Sequence, residues 1–182
     1  MTVRVLYLCT GNAARSVMAV TMTRARAPEL DVRGAGTLSI PGLPRSTRTR
    51  AALRSLGLDD PHHRSRQLEA HDTDWADLIV GFEPQHIAHV RRHHPAAAPR
   101  TATLPRLLRE LAPGDVPLAG RLASMELAEV TIEDWEEVVD PAGGDQDVFD
   151  ACAAAISDLV DALLPRLQGG PRASASEGAA AS

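Results

Sequence analysis

Cys9 and Arg15 stand with five residues between them, at a junction between two segments of different pattern. The mostly apolar run at residues 3–8 predicts a buried strand, and a helix is predicted to begin near Arg15. Gly11 and Asn12 are expected to take left-handed backbone conformations in the intervening turn. A reactive side chain and a cation therefore lie on one strand-to-helix turn, which we call the Cys9 loop (residues 9–16).

Such a turn suits an oxyanion. Successive backbone N–H groups can converge on one point, the helix N-terminus adds its positive dipole end, and an arginine fork can grip two oxygens. Thiols in comparably positive surroundings have pKa values of roughly 3.5–7.5, so a Cys9 thiolate that attacks phosphorus at neutral pH is expected. The residues expected to hold the phosphate are Thr10, Gly11, Asn12, Ala13, Ala14 and Arg15. The alternative is an ordinary turn with a buried cysteine.

The segment Cys9-Thr-Gly-Asn-Ala-Ala-Arg-Ser16 resembles the Cys-x-Gly-Asn-x-Cys-Arg-Ser-Pro signature of low-molecular-weight protein tyrosine phosphatases. Thiol-linked arsenate reductases share that superfamily. The resemblance implies a nucleophile at Cys9, a phosphate clamp at Arg15, a loop-shaping role for Asn12, and a Ser16 hydroxyl that hydrogen-bonds the thiolate.

Two positions depart from this signature, since Ala14 replaces its second cysteine and Val17 replaces its proline. Relatives with both cysteines can protect an oxidised nucleophile as a disulfide. Without that partner, Cys9 is expected to oxidise further under peroxide.

Asp140-Pro141, directly before a long amphipathic pattern at residues 147–167, is the second chemical feature. By resemblance to the family, Asp140 is the general acid that protonates the leaving oxygen and then the base that activates water. The alternative is a simple turn with an Asp cap, and Asp60-Pro61 repeats the dipeptide elsewhere. The family often has two tyrosines after this motif, whereas this chain has Ala142 and Gly143. The entrance to the active site is therefore predicted to be wider, and the substrate could be a phosphate ester that is not a protein.

Composition limits the remaining choices. Residues 1–121 carry 17 Arg against 11 acidic residues (net +6), and residues 122–182 carry 2 Arg against 13 (net −11). A basic first part suits an anionic substrate, whereas no dense basic stripe with interleaved aromatic residues indicates nucleic acid. Two cysteines make no disulfide framework. We expect a cytoplasmic protein without a membrane partner, metal or other cofactor.

Alternating patterns predict an α/β fold: one three-layer domain over residues 1–167, with a short, about four-stranded parallel sheet flanked by helices. The predicted strands are residues 3–8, 31–37 and 77–82, with a last short one at 101–104, and the resemblance to the family implies a further strand at residues 62–68. The predicted helices are residues 15–27, 45–56, 84–92, 104–111 and 147–167. The low-complexity tail at residues 168–182 is expected to be disordered.

Several side chains are expected to have structural roles only. Met18, Met22 and Cys152 are predicted in the core. Solvent-facing positions are predicted for the arginines and histidines of two helices: Arg45, Arg48, Arg50, Arg54, His86, His89, His93 and His94. The acidic insertion, about residues 115–139, is interpreted as cover for a sheet edge, with a lid or a recognition surface as alternatives.

The resulting hypothesis is a cysteine-dependent phosphomonoester hydrolase that forms a cysteinyl-phosphate. Its partner would be a phosphotyrosine protein or a small phosphate ester. An arsenate reductase that uses a soluble thiol and a phospho-binding pseudoenzyme remain alternatives.

Overall fold

A four-stranded parallel sheet with the order β2-β1-β3-β4 organises the computed structural model, which describes residues 2–168. The strands are β1 (Arg4–Cys9), β2 (Asp31–Gly36), β3 (Leu78–Gly81) and β4 (Thr101–Thr103). β1 is central, with Cys9 opposite Gly36 on one side and Leu8 opposite Gly81 on the other. The carboxyl ends of all strands therefore meet at one edge, where open α/β sheets bind their ligands.

Helices cover both faces of the sheet, which confirms the predicted α/β class. They are α1 (Arg15–Arg26), α2 (Thr47–Ser55), α3 (Ala70–Trp75), α4 (Pro84–His93), α5 (Leu104–Glu110), α6 (Leu118–Ala123) and α7 (Gln146–Leu167). Two 3₁₀ turns span Pro95–Arg100 and Asp134–Glu136.

Side chains of β1 alternate between two apolar layers, because successive residues of a strand point to opposite faces. Tyr7 and Cys9 pack with the core of α1, α5 and α7, which includes the predicted Met18. Leu6 and Leu8 pack in the other layer, against residues of α4 and the segments flanking α3. The strand that ends at Cys9 is thus buried on both faces.

The prediction of a strand at residues 62–68 is wrong. That segment forms a single parallel bridge, Gly36 to Gln67, and is otherwise irregular. Its polar groups bond instead to loops, since Ser65 N donates to Leu43 O and Gln67 Nε2 donates to Thr37 O. These bonds replace a regular ladder.

The prediction of a solvated Arg45 is also wrong. Arg45 precedes α2, is 4% exposed and forms an ion pair with Asp59. Leu56, the last residue of the predicted helix, is 40% exposed just beyond the end of α2, whereas Leu53 is fully buried. α2 is shorter than the predicted helix at both ends, so Arg45 and Leu56 both lie outside it.

The acidic insertion packs beside β4 and the helices that flank it. Glu136 accepts hydrogen bonds from Thr103 Oγ1 and from Arg106 of α5. Arg91 of α4 donates to the carbonyl oxygens of Leu127 and Val130. These contacts anchor the insertion at the β4 edge of the sheet, in line with the interpretation as edge cover.

Across residues 2–168, no helix combines the length and apolarity needed to cross a membrane. The tail predicted to be disordered lies, apart from residue 168, outside the described residues.

Candidate active site

The Cys9 loop takes its shape from Asn12, whose φ of 49° is left-handed. Gly11 is not among the residues with positive φ, so the prediction for that glycine is wrong. Asn12 Nδ2 donates to Ser16 Oγ over 2.9 Å, and Asn12 Oδ1 accepts from Arg66 N over 3.1 Å. His63 Nε2 lies 2.8 Å from Asn12 O. Both ends of the Asn12 side chain and its carbonyl are therefore fixed.

Cys9 ends β1, and its Sγ lies 3.0 Å from Ser16 Oγ in the first turn of α1. The Ser16 hydroxyl accepts from Asn12, which leaves its own proton to donate to the sulfur. A hydroxyl that donates to a thiolate stabilises the charged form. The predicted nucleophile and both predicted supporting residues are thus in contact.

Two glycines at the end of β2 allow the sheet to approach this loop. A Cβ at Gly34 would lie 2.9 Å from Asn12 Nδ2, and one at Gly36 would lie 2.5 Å from Thr10 O. The turn after β2 also donates directly to the loop, with Thr37 N 2.9 Å from Cys9 O. The end of β2 and the turn after it therefore contact the Cys9 loop directly.

Arg15 is almost completely buried, at 1% exposure, so its charge requires close partners. Its Nη1 donates to Glu83 Oε2 over 2.8 Å and to Val138 O over 2.9 Å. Its Nη2 donates to Asp140 Oδ2 over 2.8 Å. The two predicted charged residues therefore meet, although 125 positions separate them.

Asp140 reaches this position because the chain before it is tied to the sheet. Val138 N donates to Phe82 O at the end of β3, over 2.6 Å, and Val138 O accepts from Arg15. The Asp140 side chain remains 39% exposed, so one face of the carboxyl group is open to solvent. This combination of anchorage and access suits a group that exchanges protons.

Sequence reasoning missed Glu83 and wrongly assigned His86 to solvent. His86 is 1% exposed, and its Nε2 lies 3.2 Å from Thr10 Oγ1. Burial, reinforced by the nearby Arg15 charge, lowers the pKa of His86 to about 3. Glu83 lies in the turn after β3, the parallel neighbour of β1, and His86 lies in the first turn of α4, so polar residues just after that strand are the signal that could have identified them.

Cys152 is buried on α7, as predicted, with its Sγ 3.7 Å from Val139 O. Burial raises the pKa of Cys152 to about 11. Its side chain also lines an apolar cavity of about 420 Å³ between α7 and the segment that carries Asp140. Such a thiol is a weak nucleophile at neutral pH.

Exposed aliphatic side chains lie on the segment after β2 and on the segment before Asp140. Leu38 and Ile40 are 80% and 69% exposed, and Val139 is 71% exposed. Among the aromatic side chains, Tyr7, Phe82 and Phe149 are buried in the core, Trp75 lies against Arg33, and Trp135 lies against Arg109. Within residues 2–168, no cluster of His, Cys, Asp and Glu has the arrangement of a metal site.

Comparison with known proteins agrees with this geometry. A profile described as low molecular weight phosphotyrosine protein phosphatase matches residues 4–117, more than half of the chain. The chain belongs to that family. It is accordingly a phosphoric monoester hydrolase.

Two relatives that are named for different phosphatase activities match nearly the whole chain. A low molecular weight protein-tyrosine-phosphatase of Streptomyces coelicolor is 32% identical over 93% of this chain and 98% of its own. A protein-arginine-phosphatase of Geobacillus stearothermophilus is 27% identical over 92% and 98%. A solved low molecular weight phosphatase structure from T. tengcongensis shares the fold, with a TM-score of 0.74 at 24% identity, over 91% of this chain and all of that one.

Proposed function

We propose that this family member hydrolyses phosphomonoesters through a cysteinyl-phosphate, with Cys9 as nucleophile, Arg15 as phosphate clamp and Asp140 as general acid and base. The observation that carries the proposal is the convergence of these three residues, with Ser16 on the sulfur and Asp140 on the arginine. We also propose that residues 1–167 form one catalytic domain that acts in the cytoplasm, where a reactive thiol stays reduced.

In the first step, the Cys9 thiolate forms a sulfur–phosphorus bond while the bond from phosphorus to the leaving oxygen breaks. Asp140 gives its proton to that oxygen. Water then attacks phosphorus, Asp140 takes up the proton, and the sulfur–phosphorus bond breaks to restore the thiolate. Backbone amides of residues 10–15 and the Arg15 guanidinium stabilise the charge on the transferring group.

Binding of the phosphoryl group would rearrange one ion pair. Arg15 Nη2 now holds Asp140, whereas Nη1 holds Glu83. A phosphate oxygen that takes over Nη2 would release the Asp140 carboxyl group toward the leaving oxygen. Glu83 would keep the guanidinium oriented, because its contact is on the opposite nitrogen.

A phosphotyrosine protein is the proposed substrate, with a small phosphate ester as the broader class. The exposed aliphatic side chains of Leu38, Ile40 and Val139 are the candidates to flank an aryl group. The missing aromatic wall favours a second candidate, a phosphoarginine protein, and one full-length relative is named for that activity. Both candidates use the same thiolate and clamp.

Substrate preference can be measured with two peptides of one sequence, one phosphorylated on tyrosine and the other on arginine, beside p-nitrophenyl phosphate. A higher kcat/KM for phosphotyrosine supports the first candidate. A preference for phosphoarginine favours the second, and hydrolysis of the small ester alone points to a non-protein substrate.

Roles of the three residues are tested with Cys9→Ser, Arg15→Ala and Asp140→Ala. Cys9→Ser should abolish turnover and retain oxyanion binding. Asp140→Ala should lower kcat by about 10²- to 10⁴-fold, most for poor leaving groups. Asp60→Ala removes the other Asp-Pro carboxylate and is the matched control. Equal losses in the two aspartate variants would overturn the role of Asp140.

Two alternatives make distinct predictions. An arsenate reductase would consume a soluble thiol when arsenate is added and would not hydrolyse aryl phosphates. Cys152 is poorly suited to relay electrons for it, since burial raises the pKa of that thiol to about 11. A pseudoenzyme would bind oxyanions without any turnover.

A further inference from the structure

His86 has a defined protonation pattern because its two ring nitrogens have different partners. Nδ1 accepts a hydrogen bond from Phe82 N over 3.1 Å, so this nitrogen carries no proton. A neutral imidazole then has its proton on Nε2. The pKa of His86, lowered to about 3 by burial, keeps the ring neutral at physiological pH.

The Nε2 proton lies against the Cys9 loop. Thr10 Oγ1 is 3.2 Å from Nε2, and Glu83 Oε1 is 3.4 Å away. Because Nε2 is the donor, the Thr10 oxygen accepts, and the single proton of the hydroxyl must point elsewhere. His86 is 1% exposed whereas Thr10 is half-buried, so the hydroxyl proton can point away from His86 toward the open side of the loop.

Glu83 extends the same contacts to the other end of the loop. One of its oxygens lies near His86 Nε2, and the other accepts from Arg15 Nη1 over 2.8 Å. Thr10, His86, Glu83 and Arg15 thus form a continuous polar chain from the second residue of the loop to its arginine.

Gly81, the last residue of β3, leaves room for His86 because it has no side chain. A Cβ added to Gly81 would lie 3.0 Å from His86 Cβ and 2.9 Å from Ile87 Cδ1. These separations are tighter than side chains normally adopt, so a larger residue would push α4 away from the loop. The close approach of His86 therefore depends on a glycine at a strand end.

We propose that His86 is a positioning residue for the reaction: its Nε2–H holds the Thr10 hydroxyl so that the hydroxyl proton is directed at the oxyanion bound in the Cys9 loop. The inference rests on the proposed function for its turnover readout, but oxyanion binding tests it separately. Removal of one neutral hydrogen bond typically changes an affinity by about three- to tenfold.

The experiment uses His86→Asn and His86→Gln as a pair. Asn keeps an acceptor near the position of Nδ1, for Phe82 N–H, but has no donor at the position of Nε2. Gln supplies a donor at that position. Thr10→Val removes the partner hydroxyl, and His93→Asn changes an exposed histidine of the same helix as the control.

Each variant is assayed for kcat and KM with p-nitrophenyl phosphate, for the Kd of orthovanadate by calorimetry, and for Tm. His86→Asn and Thr10→Val should each weaken vanadate binding and lower kcat/KM by about three- to tenfold. The double variant should match the single ones, His86→Gln should recover within about twofold, and His93→Asn should resemble wild type.

Additive losses in the double variant would overturn the inference. So would a His86→Asn protein with a lower Tm but unchanged vanadate affinity and kcat/KM, because that pattern describes a purely structural residue. If wild-type protein binds vanadate but hydrolyses no phosphate compound, the proposed function fails, and the vanadate affinities still decide the role of His86.

Discussion

Acidification from pH 7 to pH 5 is expected to destabilise the folded protein through His86. In the unfolded chain this histidine takes up a proton near its ordinary pKa of 6.5, whereas in the folded protein burial lowers the pKa to about 3. Between these values the unfolded state binds more protons, so the free energy of unfolding falls as the pH falls. Above pH 6.5 and below about pH 3, the contribution of His86 to the free energy of unfolding does not change with pH.

The magnitude follows from the two pKa values. Each pH unit within this window changes the free energy of unfolding by at most 1.36 kcal/mol. The full separation is thus worth about 5 kcal/mol, and the share between pH 7 and pH 5 is about 2 kcal/mol. His86 is 1% exposed, so solvent screening reduces this figure little.

Urea denaturation at pH 7 and pH 5 measures the effect in wild type and in His86→Asn. Other groups titrate in both proteins, so the informative quantity is the difference between their two pH-dependent losses. Wild type should lose about 2 kcal/mol more than the variant. His93→Asn, on an exposed position of α4, should lose as much as wild type.

Equal losses in wild type and His86→Asn would refute the reasoning. That result would mean that the folded protein accommodates a protonated His86, in conflict with its hydrogen bond from Phe82 N and its burial. A larger loss in the variant would have the same consequence.

Four further outcomes are expected. Gly36→Ala, whose Cβ would lie 2.5 Å from Thr10 O, should lower the free energy of unfolding by about 1–3 kcal/mol in urea titrations, and a loss below 0.5 kcal/mol would contradict that contact. Iodoacetamide at pH 7.5 should modify Cys9 well before Cys152 by mass spectrometry, and prolonged peroxide should inactivate Cys9 beyond rescue by dithiothreitol; full recovery would argue against this. Glu136→Gln, which breaks a buried ion pair, should destabilise the protein by about 3–5 kcal/mol, whereas an unchanged denaturation midpoint would show that the pair is dispensable.

Local features of the chain were predictable because they depend on neighbouring residues. The apolar run of β1, the helix start at Arg15 and the long pattern of α7 depend on periodicity and turn chemistry within short windows. Cys9 and Ser16 meet for the same reason, since one short turn brings both to the start of α1.

Irregular segments were less predictable. Residues 62–68 lack the apolar pattern of a strand, and only the resemblance predicted one there. Side-chain and loop contacts, including His63 on Asn12, hold this segment instead. Arg45 looks like one more surface arginine of an arginine-rich chain, and its burial depends on Asp59, which follows α2. Neither partner is indicated by spacing along the sequence.

The sequence by itself determined the α/β class, the turn that brings Cys9 and Ser16 together, and the presence of an Asp-Pro motif before the last helix. Only the tertiary structure decided that Glu83 and His86 adjoin the Cys9 loop and that Arg15 pairs with Asp140. The physical reason is the strand order. β3 lies beside β1, so residues that are far apart in the chain meet at one edge of the sheet. The buried Arg15 guanidinium at this edge requires carboxylate partners, because an unpaired buried charge is costly.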